Sequence, residues 1–287
     1  MANRVKTSRI LIFVLTSVLL APVIFTGCAT SLLYNHADWL ITRQIDGYFD
    51  LNRSQRSFVT SRLNGILDGH RREALPQYET VLHEAAMRVQ RGLTEADVDW
   101  AATEYDRLRA DLFGRFSTDG ADFIRLVNDR QIPYLKQSLQ TRLSKEEGLL
   151  HDDRRTRLTK RTERILSLTR EWLGNLSPAQ EQDISRAAMN LPDILPSWYT
   201  HQMERNRQLV ELVEARQQGD TPGRLKEWLV NQDKTADPEF RDMLRQFKGR
   251  IGELLLTIDR LATPEQRRHV IAKLDDLAKT VHGLSHT

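Results

Sequence analysis

Helix starts along this chain are marked repeatedly by Asn, Ser or Thr set three residues ahead of Gln or Glu. Such stretches are Asn52-Arg53-Ser54-Gln55, Ser144-Lys145-Glu146-Glu147, Ser177-Pro178-Ala179-Gln180 and Thr263-Pro264-Glu265-Gln266, with Thr94-Glu95-Ala96-Asp97 as a looser form. In this pattern the first side chain accepts from a free N–H of the first helical turn while the Gln or Glu reaches back, so each stretch predicts a helix start. Pro178 and Pro264 stand at the first helical position, where the missing N–H costs nothing. Further starts are expected at Pro76, Pro133, Pro196, Pro222 and Pro238, and turns at 190–192 and 218–222. Between these marks the apolar residues keep helical spacing, as in Ile251, Leu254, Leu255, Ile258 and Leu261, in Val270, Ile271, Leu274, Leu277, Ala278 and Val281, and in Tyr78, Val81, Leu82, Ala85 and Val89. No stretch alternates with β-branched residues between hairpin turns. The expected class is all-α, a bundle of about ten or more short to medium helices.

The N-terminus reads as an export signal. Arg4, Lys6 and Arg9 precede an uncharged, mostly apolar run from Ile10 to Phe25, interrupted by Pro22 and shorter than the roughly 20 residues a spanning helix prefers. Phe25-Thr26-Gly27-Cys28 resembles a lipobox, with Phe25 where Leu is usual, and Cys28 is the one cysteine among 287 residues. The expectation is therefore a lipoprotein signal peptide over 1–27, a lipidated N-terminus at 28–30 with the acyl chains on Cys28, and a helical domain over 31–287. By resemblance to bacterial lipoproteins, Ala29 in place of Asp directs the protein to the outer membrane, facing the periplasm. At roughly 0.8 kcal/mol per buried CH₂, two or three acyl chains hold it to the bilayer for good. With one cysteine no internal disulfide can form.

Export also resolves the charge. Cleavage takes three of the 42 basic residues and no acid, which leaves the 39 Asp and Glu balanced, so the pI near 9.0 is no argument for nucleic acid. The mature chain has room for one large domain or two small ones. The order of marks after Leu51 (a capping stretch, Leu75-Pro76-Gln77-Tyr78, Gly92, Trp100, the box at Ser144) returns after Leu176 as Leu195-Pro196-Ser197-Trp198, Gly219, Trp228 and the box at Thr263. Two readings stand: an internal duplication with a sub-boundary near 174–176, or chance recurrence among similarly capped helices.

Catalytic signatures are missing. His83-Glu84-Ala85-Ala86-Met87 begins like a zinc-protease helix but has Met87 where the second histidine is needed. No Glu stands three before a His, which removes the di-iron bundle pattern. His282 and His286 are spaced for one helix face, yet Gly283 and the chain end suit a frayed tail better than a metal site. No nucleophile elbow, Walker loop or cysteine nucleophile occurs, and no cofactor is expected. Two carboxylates from different helices acting on peptidoglycan would leave no trace in spacing, so an envelope hydrolase is the alternative function.

Binding candidates are two. Arg154, Arg157, Arg161 and Arg164 fall on one helix face that could meet lipid head groups or an acidic partner; a solvated face paired with Asp152, Asp153 and Glu163 is the favoured alternative. Trp198 and Tyr199, after Pro196, form an aromatic cluster suited to lining a groove. The other tryptophans are expected in the core.

Tyr34-Asn35-His36-Ala37-Asp38-Trp39-Leu40, followed by Tyr48-Phe49-Asp50-Leu51 and Gln55-Arg56, resembles a family of uncharacterised bacterial lipoproteins, which brings no activity. There Asp38 is expected to bond a helix turn while Tyr34 and Trp39 pack inward. The Leu51–Gln55 and Leu176–Gln180 stretches also resemble the Leu-Thr-x-x-Gln signature of Spy/CpxP-type periplasmic helical proteins, with Asn52 and Ser177 in place of Thr; the Thr263–Gln266 stretch keeps Thr but has Ala262 before it. That likeness implies a chaperone-like role. The leading expectation is a non-enzymatic helical protein, tethered to the bilayer through Cys28, that binds another envelope protein or polymer.

Overall fold

The computed structural model describes residues 27–232 and 235–286. Except for Gly27 the expected signal peptide lies outside the described residues, as does the side chain of Cys28. Twelve α-helices and no strand are found among the described residues, an all-α, multi-helix fold. They are α1 Gly27–Asn35, α2 Ala37–Phe49, α3 Arg53–Glu73, α4 Leu75–Arg91, α5 Glu95–Leu126, α6 Gln131–Glu147, α7 Arg154–Leu173, α8 Pro178–Met189, α9 Leu195–Glu214, α10 Thr221–Val230, α11 Pro238–Leu261 and α12 Pro264–Ser285. The capping signals explain most starts. Ser177 and Thr263 form complete reciprocal boxes with Gln180 and Gln266, and prolines fall in the first turn of α4, α9, α10 and α11.

Ser144 corrects one expectation. It lies inside α6, whose buried stripe Leu135, Leu139 and Leu143 runs past it. A Ser three before Glu caps nothing when its turn is already hydrogen-bonded into a helix. The start of that region lies earlier, at Asn128-Asp129-Arg130-Gln131, where the Asn128 N–H donates to Gln131 Oε1 at 3.0 Å. Nor are all helices short: α5 runs 32 residues, straight through Ser117-Thr118-Asp119-Gly120, a local turn signal that the helix overrides.

Packing divides the chain into two units. Unit 1 comprises the chain up to Gly69, Phe113–Gly148 and Gln202–Gln232; unit 2 comprises His70–Leu112, Leu149–His201 and Asp233–Thr287. The helix order explains this patchwork. The order α2-α3-α4-α5-α6 is matched by α7-α8-α9-(α10, α11)-α12, with α10 ending at Val230 and α11 starting at Pro238 in the place of the long α5. Unit 1 takes α2, α3, the second part of α5 and α6, then adds α10 with most of α9. Unit 2 takes α7, α8, α11 and α12, then adds α4 with the first part of α5. Each half of the chain lends one helical hairpin to the unit built by the other half.

Both hairpins are closed the same way. In unit 2 the Arg88 guanidinium lies 4.2 Å from the Trp100 ring; in unit 1 Arg205 lies 4.0 Å from that of Trp228. The turns between use glycine in the left-handed region, Gly92 at φ +89° and Gly219 at φ +65°, where a Cβ would be strained. A second glycine lets each hairpin approach its host helix. A Cβ on Gly252 would stand 3.0 Å from Val98, and one on Gly120 would stand 3.0 Å from Leu225.

The cores follow the expected stripes. In unit 1, α2 packs on α6; α2 buries Ala37, Ile41 and Tyr48, and α6 buries Leu135, Leu139 and Leu143. In unit 2, α12 lies along α4 and α7, burying Leu274, Leu277 and Val281 beside Leu75, Tyr78 and Leu82. Tyr34 is buried as expected, but Trp39 is 54% exposed, which corrects its inward placement. Five residues turn a helix by roughly 500°, so Tyr34 and Trp39 cannot face one core, and Ala37 and Ile41 take the inward positions.

Candidate functional site

Each unit is organised about a pair of buried glutamines. In unit 1, Gln55 Nε2 donates to the Leu126 carbonyl and to Gln131 Oε1, both at 2.8 Å. Gln131 Nε2 returns to the Phe49 carbonyl at 2.7 Å and to Gln55 Oε1 at 2.9 Å. In unit 2, Gln180 Nε2 donates to the Leu261 carbonyl and to Gln266 Oε1, both at 2.8 Å. Gln266 Nε2 returns to the Asn175 carbonyl at 2.7 Å. Each Oε1 also accepts the N–H of its own capping residue, Asn52, Asn128, Ser177 or Thr263, at 2.9–3.1 Å. The capping glutamine thus does more than cap: its amide crosses to the helix end of its counterpart, so two chain corners are tied in one bonded ring. Residues 174–176 form one such corner, between α7 and α8, and 50–52 form its counterpart between α2 and α3.

Beside each clasp the helices leave an apolar cavity. In unit 2 it measures about 340 Å³, walled by Leu168 and Trp172 of α7, Ile251, Leu255 and Ile258 of α11, and Val270 of α12. Leu168 and Leu255 at its mouth are 37% and 45% exposed. The α11 stripe expected to face a core thus opens in part onto a groove. The polar rim is tied up internally. Asp259 accepts the Leu93 N–H at 2.9 Å and Arg267 at 2.6 Å, and Arg267 donates to the Val89 carbonyl at 2.5 Å. In unit 1 the cavity measures about 120 Å³, and its lining includes Phe49, Phe58, Phe116, Phe123 and Trp228, with Arg62 and Asp119 3.4 Å apart at its rim.

A groove in unit 1 brings two carboxylates together, Glu211 and Glu214, one turn apart on α9. Glu214 pairs with Lys136 at 2.7 Å, and Glu211 pairs with Arg207. Both carboxylates stand on the same helix face beside their cations, whereas glycoside hydrolysis needs a pair flanking the scissile bond. Among the described residues no group of three or more His, Cys, Asp and Glu could hold a metal ion. His83 faces Glu79 and Asp275 at 3.8 and 3.7 Å, and His282 faces Glu79 at 3.1 Å, all in unit 2.

The basic stripe on α7 is divided. Arg157 pairs with Asp193 at 2.5 Å and donates to the Asp152 carbonyl, and the Asp193 bond holds its guanidinium above the usual range. Arg161 donates to the carbonyls of Pro192 and Leu191, both at 2.6 Å, and of Ala188 at 3.3 Å; burial lowers its pKa. These two fasten the end of α8, while Arg154 and Arg164 remain exposed. Trp198 is half-buried, 6.0 and 6.1 Å from the rings of His201 and Phe240, which stack on each other at 4.1 Å; Tyr199 is half-buried beside it. Neither lines the unit 2 groove. Its aromatic is Trp172, which sequence reading assigned to the core; the spacing of α7 placed it on an apolar face, but not at the edge of one.

Gln131 was also missed, although Asn128 three residues earlier repeats the Asn52-x-x-Gln55 pattern. No curated protein and no solved structure matches this chain. A family model described as a family of unknown function, DUF6279, matches residues 47–253, a span that includes both clasp corners 50–55 and 175–180, and the chain belongs to that family.

Proposed function

We propose that this is a lipid-anchored, non-enzymatic binding protein of the bacterial envelope, tethered through Cys28 to the outer membrane on its periplasmic side. Its unit 2 groove takes an apolar segment of another envelope component in a chaperone-like way. The observation that carries the reading is the groove itself. Its walls are aliphatic with one tryptophan, and its rim charges are already bonded to each other and to backbone. Such a surface can take up apolar area but presents no poised acid, base or nucleophile. The signal-like N-terminus, the lipobox and the Leu-x-x-x-Gln frames shared with Spy/CpxP-type proteins support the same reading. A tether helps a weak binder, because partner and protein share one surface and meet at high effective concentration.

The test pairs two variants. Cys28→Ser should leave full-length precursor without acyl mass; a normal-sized mature product lacking lipid would refute the anchor. Leu168→Asp with Leu255→Asp changes two exposed positions at the groove mouth. It should abolish the fluorescence rise of an anilinonaphthalene dye and the protection of an unfolded client from aggregation, with helicity by circular dichroism unchanged. Equal dye response and protection in this variant would remove the groove from the function.

A further inference from the structure

The sequence motif around Trp39 has no explanation in the core. Tyr34 is buried, whereas Trp39 stands 54% and Leu32 62% exposed. The Arg43 guanidinium lies 5.3 Å from the Trp39 ring, on the same exposed side. Two large apolar side chains and a cation thus lie exposed on one short helical stretch, the composition of a helix face that meets a membrane surface.

The backbone shows what these residues share. Helical bonding continues through the α1–α2 junction, where the His36 N–H donates to the Leu32 carbonyl at 3.3 Å and the Leu40 N–H to the His36 carbonyl at 3.0 Å. At roughly 100° per residue, positions 28, 32, 36, 39 and 43 then fall within an arc of about 80°. That stripe reads Cys28, Leu32, His36, Trp39 and Arg43. It carries no acid. The nearest acid along it, Asp46, is bonded to Arg56 at 2.7 Å and to the Leu51 N–H at 2.9 Å.

We infer that this N-terminal helix lies along the phospholipid surface, with Leu32 and Trp39 dipped into the head-group layer and Arg43 on the phosphates. The inference rests on the lipid-anchor reading of Cys28. Given that anchor, geometry selects the orientation. Eleven residues of helix span roughly 16 Å, so a helix standing upright on Cys28 would hold Trp39 clear of a head-group layer about 6 Å deep. Lying flat brings the whole stripe to the depth where tryptophan and arginine are favoured. The acyl chains and the stripe would then form one two-part contact, which orients the tethered domain as well as retaining it.

The experiment uses the full lipidated protein, purified from membranes and reconstituted into phosphatidylcholine–phosphatidylglycerol vesicles carrying lipids brominated near the head of the acyl chain. Intact-mass spectrometry first establishes acylation. Tryptophan emission should be quenched in the wild type, and the quenched component should disappear in Trp39→Phe, a change at an exposed position that leaves the fold intact. Arg43→Glu should shift the quenching towards that of the Trp39→Phe variant. Acylated protein whose quenching is the same with and without Trp39 overturns the contact and leaves the anchor standing. Mature protein without acyl mass overturns both.

Discussion

The two units share a frame and differ in what the frame encloses. Both are tied by a reciprocal glutamine pair, both receive a hairpin closed by an Arg–Trp stack, and both cover an aromatic with a cation, Arg142 4.0 Å from Tyr48 in one and Lys273 5.8 Å from Trp172 in the other. Yet the cavity beside the clasp is about 120 Å³ in unit 1 and about 340 Å³ in unit 2. The lining explains the difference. Four phenylalanines and a tryptophan crowd the first, while aliphatic residues and one tryptophan line the second, and an aromatic ring fills more of the same space. Polar bonds that close on one another allow no substitution without leaving a buried donor or acceptor bare. Apolar walls tolerate exchange of one side chain for another. The comparison therefore teaches that structure resides in the clasps and that binding can diverge in the linings.

Breaking a clasp should have the largest effect. Gln55→Ala and Gln180→Ala each strip a helix-end carbonyl, a capping N–H and the partner amide of their bonds, and each should cost about 3 kcal/mol in urea-induced unfolding. The shared frame demands similar losses in the two units. A loss under about 1 kcal/mol at one site and a full loss at the other would show that only one unit depends on its clasp.

The next test sharpens the role of α7. Arg161→Ala removes three carbonyl contacts at the end of α8 and should cost about 2 kcal/mol, so diminished binding in such a variant would report damage to the fold. Arg154→Glu and Arg164→Glu change exposed positions and should alter stability by no more than about 0.5 kcal/mol. If these two lower binding to anionic vesicles at low salt and the loss vanishes at high salt, the basic face is a contact surface. Unchanged binding assigns it to solvent.

The smallest effect concerns acid. Asp97, at the start of α5 in unit 2, accepts the Thr94 hydroxyl and N–H, and Arg88 and Arg91 approach it at 2.6 Å. These bonds, those from Thr94 foremost, lower its pKa from 3.8 to about 2. A depressed carboxylate contributes stability above its unfolded value and loses it as pH falls through the folded one. The melting temperature should therefore fall as pH drops from 3.8 towards 2, and Asp97→Asn should flatten that segment of the profile. An unaltered slope in the variant would place the acid sensitivity elsewhere.

Much of the fold was legible because helices announce themselves locally. The capping boxes at Ser177 and Thr263, the first-turn prolines and the 3.6-residue stripes involve residues a few places apart, and their geometry follows from the backbone alone. The recurring Gly92/Gly219 and Trp100/Trp228 pairs mark the turns and ring–cation contacts of the two hairpins, while spacing alone leaves duplication and chance recurrence both open. Ser144 misled because the same local pattern sits mid-helix, where only neighbouring packing decides that no new turn begins. Three matters were settled only by tertiary structure. A glutamine three residues after a cap looks the same whether its amide ends in water or on a carbonyl 71 or 81 positions away, and only packing brings Leu126 to Gln55 or Leu261 to Gln180. A stripe such as Leu254, Leu255 and Ile258 is apolar whether it is covered or left as the wall of a groove. The exchange of hairpins depends on which host helix α4 and α9 meet, a choice made by long-range burial that no spacing along the chain records.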